Sequence, residues 1–171
     1  MTIRRMMPDD VLEYRDLMLE AYARHPDAFT STASERAALP MSWWQSRLDA
    51  APLASEVVFG AVEHNRVIGV AGLSFATREK IKHKATLFGM YVPPAFRHQG
   101  VGRELVLATL EHAKTRPGVV LVQLTVTQGN AGARALYERC GFVPFGVEPL
   151  AVLVGPEFVS KVHMWCDLQR H

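Results

Sequence analysis

The segment Arg97-His98-Gln99-Gly100-Val101-Gly102-Arg103 constrains this chain more than any other. An apolar, strand-like run from Ala85 to Val92 precedes it and is broken by Pro93-Pro94. From Glu104 to Lys114 the residues suited to burial recur at helical spacing: Leu105, Val106, Ala108, Thr109 and Ala113. Strand, glycine loop and helix in that order form a site for phosphate. Two glycines let the backbone approach an anion, and the unpaired N–H groups of the first helical turn point at it. Arg97 and Arg103 add charge beside those donors.

Two better-known phosphate loops do not fit. A nucleotide-triphosphate loop requires Lys-Ser or Lys-Thr after its last glycine, and neither follows here. No acid after a strand suits Mg²⁺, so a nucleotide-dependent kinase is excluded. A dinucleotide fingerprint requires a third glycine, and Gly100-Val101-Gly102-Arg103-Glu104 runs on into Leu105 instead.

A second motif lies about thirty residues further on. After the strand-like run Val119 to Thr127 comes Asn130-x-x-Ala133-x-x-Leu136-Tyr137-x-x-x-Gly141-Phe142. Together with Arg97-x-x-Gly100-x-Gly102, this resembles the GNAT superfamily of acyl-CoA-dependent N-acetyltransferases. The specific part of the resemblance covers roughly residues 83 to 145, and the order of elements on either side agrees with it.

The chain has 171 residues and is expected to form a single GNAT-like N-acetyltransferase domain over residues 1–171. A formal net charge of +2 is too small to argue for nucleic acid as a partner. Asp9, Asp10, Glu13 and Asp16 rule out a secretory signal at the start, and no apolar run reaches the length of a membrane span. The two cysteines, Cys140 and Cys166, read as thiols of a reducing compartment, so the expected location is cytoplasmic with no membrane partner.

Thr2 to Met6 suits a first strand, and Pro8-Asp9-Asp10 opens a helix whose apolar stripe ends before Pro26. Residues 27–40 carry no clear pattern. Ser42-Trp43-Trp44-Gln45 resembles a capping box opening a second helix. Glu56 to Glu63 and Arg66 to Thr77 read as strands joined by a turn at His64-Asn65. Phe142 to Val147 and Val159 to Cys166 are the last strands, separated by a loop containing Pro149 and Gly155-Pro156. The fold class is therefore α/β (α+β): a GNAT-like central mixed β-sheet of about seven strands flanked by about four α-helices.

The resemblance implies transfer of an acetyl group from acetyl-CoA to a primary amine by direct attack in a ternary complex, with no metal. Its acyl donor would lie against the amides of His98, Gln99, Gly100, Val101, Gly102 and Arg103, beside Arg97. Backbone groups of Met90, Tyr91 and Val92 would pair with the pantetheine arm, and one of those amides would meet the oxyanion. Asn130 caps the next helix and, with Ala133, would contact the donor. Tyr137 falls at the general-acid position. His83, flanked by Lys82 and Lys84, and Glu35 are the candidate bases. Gln123, Thr125 and Thr127 alternate along one strand face and are candidates to line the cleft.

Two adjacent tryptophans, Trp43 and Trp44, cannot both face the core, so one is available to a pocket or a dimer contact. Acceptor recognition is expected from Pro26 to Leu48 and from the Pro149 to Phe158 loop. The acceptor is a small-molecule amine or a protein N-terminus or lysine; a homodimer is allowed but not specified. The competing reading is a non-catalytic acyl-CoA-binding regulatory module, which would need neither Tyr137 nor a base.

Overall fold

A computed structural model describes residues 1–170; His171, the last residue of the expected domain, lies outside the described residues. Seven strands form one sheet in the order β1-β2-β3-β4-β5-β7-β6. The strands are β1 (Thr2–Arg5), β2 (Glu56–Glu63), β3 (Arg66–Phe75), β4 (Lys84–Tyr91), β5 (Leu121–Thr127), β6 (Val143–Val154) and β7 (Glu157–Asp167). All pairs are antiparallel except β4 with β5. The mixed seven-stranded sheet agrees with the sequence reading.

Five α-helices surround the sheet among the described residues: α1 (Val11–Arg24), α2 (Ala33–Ala37), α3 (Met41–Ser46), α4 (Val101–Thr115) and α5 (Ala131–Arg139). The additional helix is α2, hidden in the segment without a clear pattern. Its cap is reciprocal: the Glu35 amide donates to Thr32 Oγ1 at 3.1 Å, and the Thr32 amide donates to the Glu35 carboxylate. The expected box at Ser42 does not form, because the cap lies two residues earlier at Pro40, α3 starts at Met41 and Ser42 is already helical.

Each face of the sheet carries its own core. On one face α1 buries Val11, Tyr14, Met18, Ala21 and Tyr22 beside Trp44 and Leu48. On the other, α4 buries Val101, Leu105, Val106, Leu110 and Ala113 at the spacing of a helical stripe. The β2–β3 hairpin turns at His64 and Asn65, with φ of 50° and 61°, the left-handed pair that a two-residue turn needs. The expected loop around Pro149 is instead an irregularity within a long β6–β7 hairpin, where the register shifts between Glu148 and Val152. No helix among the described residues is long and apolar enough to cross a membrane.

Candidate active site

The site begins where β4 and β5 part. They pair only at Lys84 with Leu121, Ala85 with Val122 and Thr86 with Gln123. Beyond that point β5 stays in register with β7 through Thr127 opposite Lys161, and β4 follows β3. One extra residue is inserted into β4 between Phe88 and Tyr91, which face Gly72 and Val70. Gly89 has φ of +56°, a conformation that costs glycine little, and the resulting bulge bends β4 away from β5. The backbone at Gly89 and Met90 is thereby left without a partner in the ladder.

A cleft of about 570 Å³ fills the opening. Leu87, Phe88, Gly89 and Met90 form one wall, and Thr125, Val126, Thr127, Asn130, Ala133 and Tyr137 form the other. The volume lies in the range of small-molecule sites, about 300–1,000 Å³.

The glycine loop stands at one end of this opening. Gly100, with φ of +81°, serves as the N-cap of α4, and His98 is also left-handed at +63°. None of the backbone N–H groups from His98 to Arg103 finds an acceptor among the described residues. These are consecutive donors at a helix start, a suitable cradle for pyrophosphate. The two glycines do different work. A Cβ at Gly100 would meet nothing within 4 Å. A Cβ at Gly102 would lie 2.9 Å from Met90 Cε and 3.1 Å from Leu136 Cδ2, so this glycine lets α4 approach β4 and α5 closely. The helix starts at Val101, three residues earlier than its apolar pattern suggested, which puts Gly102 inside it.

Arg97 is used mainly to hold the loop. Its Nε donates to the Val92 carbonyl at 2.9 Å, and its Nη2 lies 3.0 Å from His25 Nε2 at the end of α1. Arg103 is exposed beside Glu104 at 3.4 Å. Gln99 donates from its side chain to the Ala95 carbonyl at 3.4 Å. Of the three residues expected to offer backbone groups, Met90 lines the cleft, whereas Tyr91 and Val92 do not. Tyr91 is back in register opposite Val70, and its hydroxyl donates to Glu20 at 3.0 Å.

Asn130 caps α5 by accepting from the Ala133 amide at 3.2 Å. One and two turns further along α5 stand Ala133 and Tyr137, both on the cleft. The Tyr137 hydroxyl donates to Met90 Sδ at 3.5 Å, and its ring meets Phe142 edge-on at 5.9 Å. Burial, with a smaller contribution from Cys140, pushes the phenol up to about 12. It is therefore a protonated donor throughout the ordinary pH range.

The structure does not bring the two expected bases into the cleft. His83 precedes β4 at its paired end, where its carbonyl accepts from Val120 at 2.9 Å, and it is absent from the cleft lining. Glu35 is exposed and spent on the α2 cap. Gln123 lies where β4 and β5 are still paired, so only Thr125 and Thr127 of its strand face reach the cleft.

Residues that sequence reasoning did not single out complete the far end, two of them within the Pro26 to Leu48 segment expected to recognise the acceptor. Glu56, Arg36 and Arg47 line the cleft there. Trp44 is fully buried, whereas Trp43 faces outward with the guanidinium carbons of Arg36 and Arg47 at 4.5 and 4.6 Å from its ring centroid. This division matches the expectation that the two tryptophans separate. Lys161 on β7 is buried and donates to Thr127 Oγ1 and the Ala28 carbonyl, both at 3.3 Å. Thr127 in turn donates to the Asp27 carbonyl at 2.7 Å, so the pair fastens the segment after α1 across the opening. Burial lowers the Lys161 pKa, against the opposing pull of Asp27 and Glu148. Cys140 and Cys166 are free and buried, and burial pushes the Cys166 thiol up to about 11.

Known proteins share this arrangement. A model of the acetyltransferase (GNAT) family matches residues 15–142. A [ribosomal protein bS18]-alanine N-acetyltransferase of Salmonella typhimurium is 34% identical over 111 residues, covering 61% of this chain and 74% of the relative. Among solved structures, a ribosomal-protein-alanine N-acetyltransferase from Brucella melitensis superposes with a TM-score of 0.80 at 22% identity, covering 98% of this chain and 99% of that one. A putative acetyltransferase from Salmonella typhimurium, solved with its cofactor acetyl-CoA, gives 0.82 at 20% identity, with coverage of 100% and 95%. The splayed parallel pair, the donor-rich glycine loop and the matched family model lead to one conclusion: this chain belongs to the GNAT acetyltransferase family.

Proposed function

We propose that this chain, read as one domain over residues 1–171, transfers an acetyl group from acetyl-CoA to a primary amine within the β4–β5 cleft. The observation that carries the reading is the parting of β4 and β5 at Thr86 and Gln123, opposite consecutive unpaired amides from His98 to Arg103. The amides would hold the donor's pyrophosphate, and the pantetheine arm would enter the opening beside Met90, Asn130 and Ala133. The thioester carbonyl would then sit at the β4 bulge, where an unpaired amide can meet the developing oxyanion.

The amine nitrogen attacks the carbonyl carbon, the C–S bond breaks, and the sulfur leaves as a thiolate. Tyr137, which lines the cleft, would protonate it. A phenol at about 12 would be a poor acid toward a thiol of ordinary pKa. Desolvation in the cleft would raise the leaving thiol as well, the direction seen for buried Cys166, and so narrow that gap. This placement favours catalysis over an acyl-CoA-binding module, which has no use for a buried donor there. The amine's proton leaves toward water in the open part of the cleft, since neither His83 nor Glu35 reaches it.

Two of the three relatives are named ribosomal-protein-alanine N-acetyltransferases, so a protein N-terminus belongs among the amines to try, with small-molecule amines and lysine side chains. The cytoplasm, where buried free thiols persist, suits the reading. A homodimer would find an apolar surface on β6, where Phe145, Val147 and Leu153 are exposed. Calorimetric titration with acetyl-CoA, with ATP as control, tests the donor site; thiol release with a panel of amines tests the reaction. Absence of acetyl-CoA binding would reduce the glycine loop to a turn and remove the proposal.

A further inference from the structure

Beyond the acetyl donor, the far end of the cleft has a chemistry of its own. Arg36, Arg47 and Glu56 line the main cleft and also a side recess of about 470 Å³, which they share with Trp43, Ser46 and Ser55. Two guanidinium groups and one carboxylate therefore line one recess. Arg47 Nε lies 3.6 Å from Glu56, and the Arg47 side chain is only 14% exposed. Arg36 has no carboxylate within ion-pairing distance among the described residues; its only close partners are the faces of Trp43 and, at 5.8 Å, Tyr22. The neighbouring Glu35 is turned to the helix cap and makes no ion pair with it. The Trp43 ring carries both guanidinium planes and holds them in place; Arg47 also lies over Phe88 with its Nε toward Glu56, and Arg36 keeps its N–H edges free to donate.

Resting on the acetyltransfer reading above, we infer that Arg36 and Arg47 form an anion subsite, so that the acceptor is a primary amine carrying a carboxylate at some distance from its nitrogen. Guanidinium edges match a carboxylate in geometry as well as charge. The excess of positive charge works against a polyamine, whose second ammonium would have to occupy the same recess.

The register supplies the spacing. Glu56 faces Ser74, and Ser74 faces Thr86, so Glu56 is two strands from β4, roughly 9.6 Å. Met90 lies four residues past Thr86, roughly 13 Å along the strand. The Arg47 guanidinium reaches back over β4, 4.8 Å from the Phe88 ring centroid, so the acceptor's amine and carboxylate should be separated by roughly 10 Å at most, the reach of about three extended residues.

The test uses straight-chain ω-amino carboxylates of increasing length, each with its matching amide and α,ω-diamine, assayed by thiol release on protein already shown to bind acetyl-CoA. Peptide amides with aspartate at the third position form a separate arm, which distinguishes a protein N-terminus from a small molecule. The expected result is that kcat/KM favours the carboxylate over its amide by about tenfold or more, only for the longer acceptors, and disfavours the diamine. Arg36→Gln should collapse that preference, and Arg36→Lys should restore part of it. Arg47→Gln repeats the test if the first variant folds poorly. Equal use of carboxylate and amide, preference for the diamine, or no turnover of any carboxylate by protein that binds acetyl-CoA would overturn the subsite and leave the donor reading intact. Failure to bind acetyl-CoA would remove both.

Discussion

The Tyr137 hydroxyl donates to the Met90 sulfur at 3.5 Å, so the phenol of α5 meets β4 at the bulge that separates that strand from β5. Met90 also touches the space above Gly102, since a Cβ there would come within 2.9 Å of its Cε. Glycine loop, bulge and phenol thus share one side chain. A change at any of them is expected to reach the others through Met90.

Tyr137→Phe keeps the ring against Phe142 and removes only the hydroxyl. Turnover should fall by about a hundredfold or more, the usual weight of a general acid, with acetyl-CoA affinity within a factor of about two. Single-turnover kinetics beside calorimetry separate the two quantities. An equal fall in both would make Tyr137 a packing residue.

The Tyr137 phenol should ionise near 12 rather than at its ordinary value of 10.0. Because the folded pKa is the higher, its contribution to stability is complete below pH 10 and is lost as pH rises from 10 toward 12. Ultraviolet titration of the wild type minus Tyr137→Phe should show this late transition. The catalytic rate should have no limb from this group at pH 10.

Gly100→Ala and Gly102→Ala should fail in different ways. At Gly100 the added methyl meets open space, and the cost is the left-handed backbone, about 1–2 kcal/mol, felt as a lower Tm and weaker acetyl-CoA binding. At Gly102 the backbone is helical, and the methyl displaces the flexible end of Met90. There stability should change by less, about 1 kcal/mol at most, because the gain in helix propensity offsets the crowding, while turnover falls because Met90 moves under Tyr137. Identical stability and kinetic profiles for the two variants would contradict this division.

Lys161 provides a pH signature of the strap over the cleft. Its folded pKa is lowered from 10.5 by burial, so below 10.5 the unfolded chain binds more protons than the folded one. Stability from this residue should therefore rise with pH across the window up to 10.5. Lys161→Met should flatten that slope in urea titrations and loosen residues 27–28 in hydrogen exchange, since Ala28 loses its donor.

His83→Ala should leave the acidic limb of the pH–rate profile in place, because His83 stands at the paired end of β4 outside the cleft. Loss of that limb would show that the imidazole reaches the reacting amine by a movement of the strand end.

What the sequence determined by itself is local. The Arg97-to-Arg103 loop, the Asn130 cap, the His64-Asn65 turn and the separation of Trp43 from Trp44 each depend on residues within a turn or two of one another. Their φ values, caps and helical faces follow from short-range sterics and hydrogen bonding. The family motifs belong to the same class, because a phosphate cradle is built from consecutive amides.

Only the tertiary structure decided the rest. Lys161 reaches Thr127 because β7 inserts between β5 and β6, a pairing across 34 residues that no local pattern encodes. Arg36 and Arg47 share the Trp43 ring because α2 and α3 fold over the opening. His83 and Glu35 looked suitable by residue type and fell away because strand register and a helix cap placed them elsewhere. Side-chain chemistry is written in the sequence, but which groups face one cavity is set by long-range register and packing. A one-residue bulge at Gly89 lies on the wall of the cleft that brings them together, just past the last β4–β5 pair.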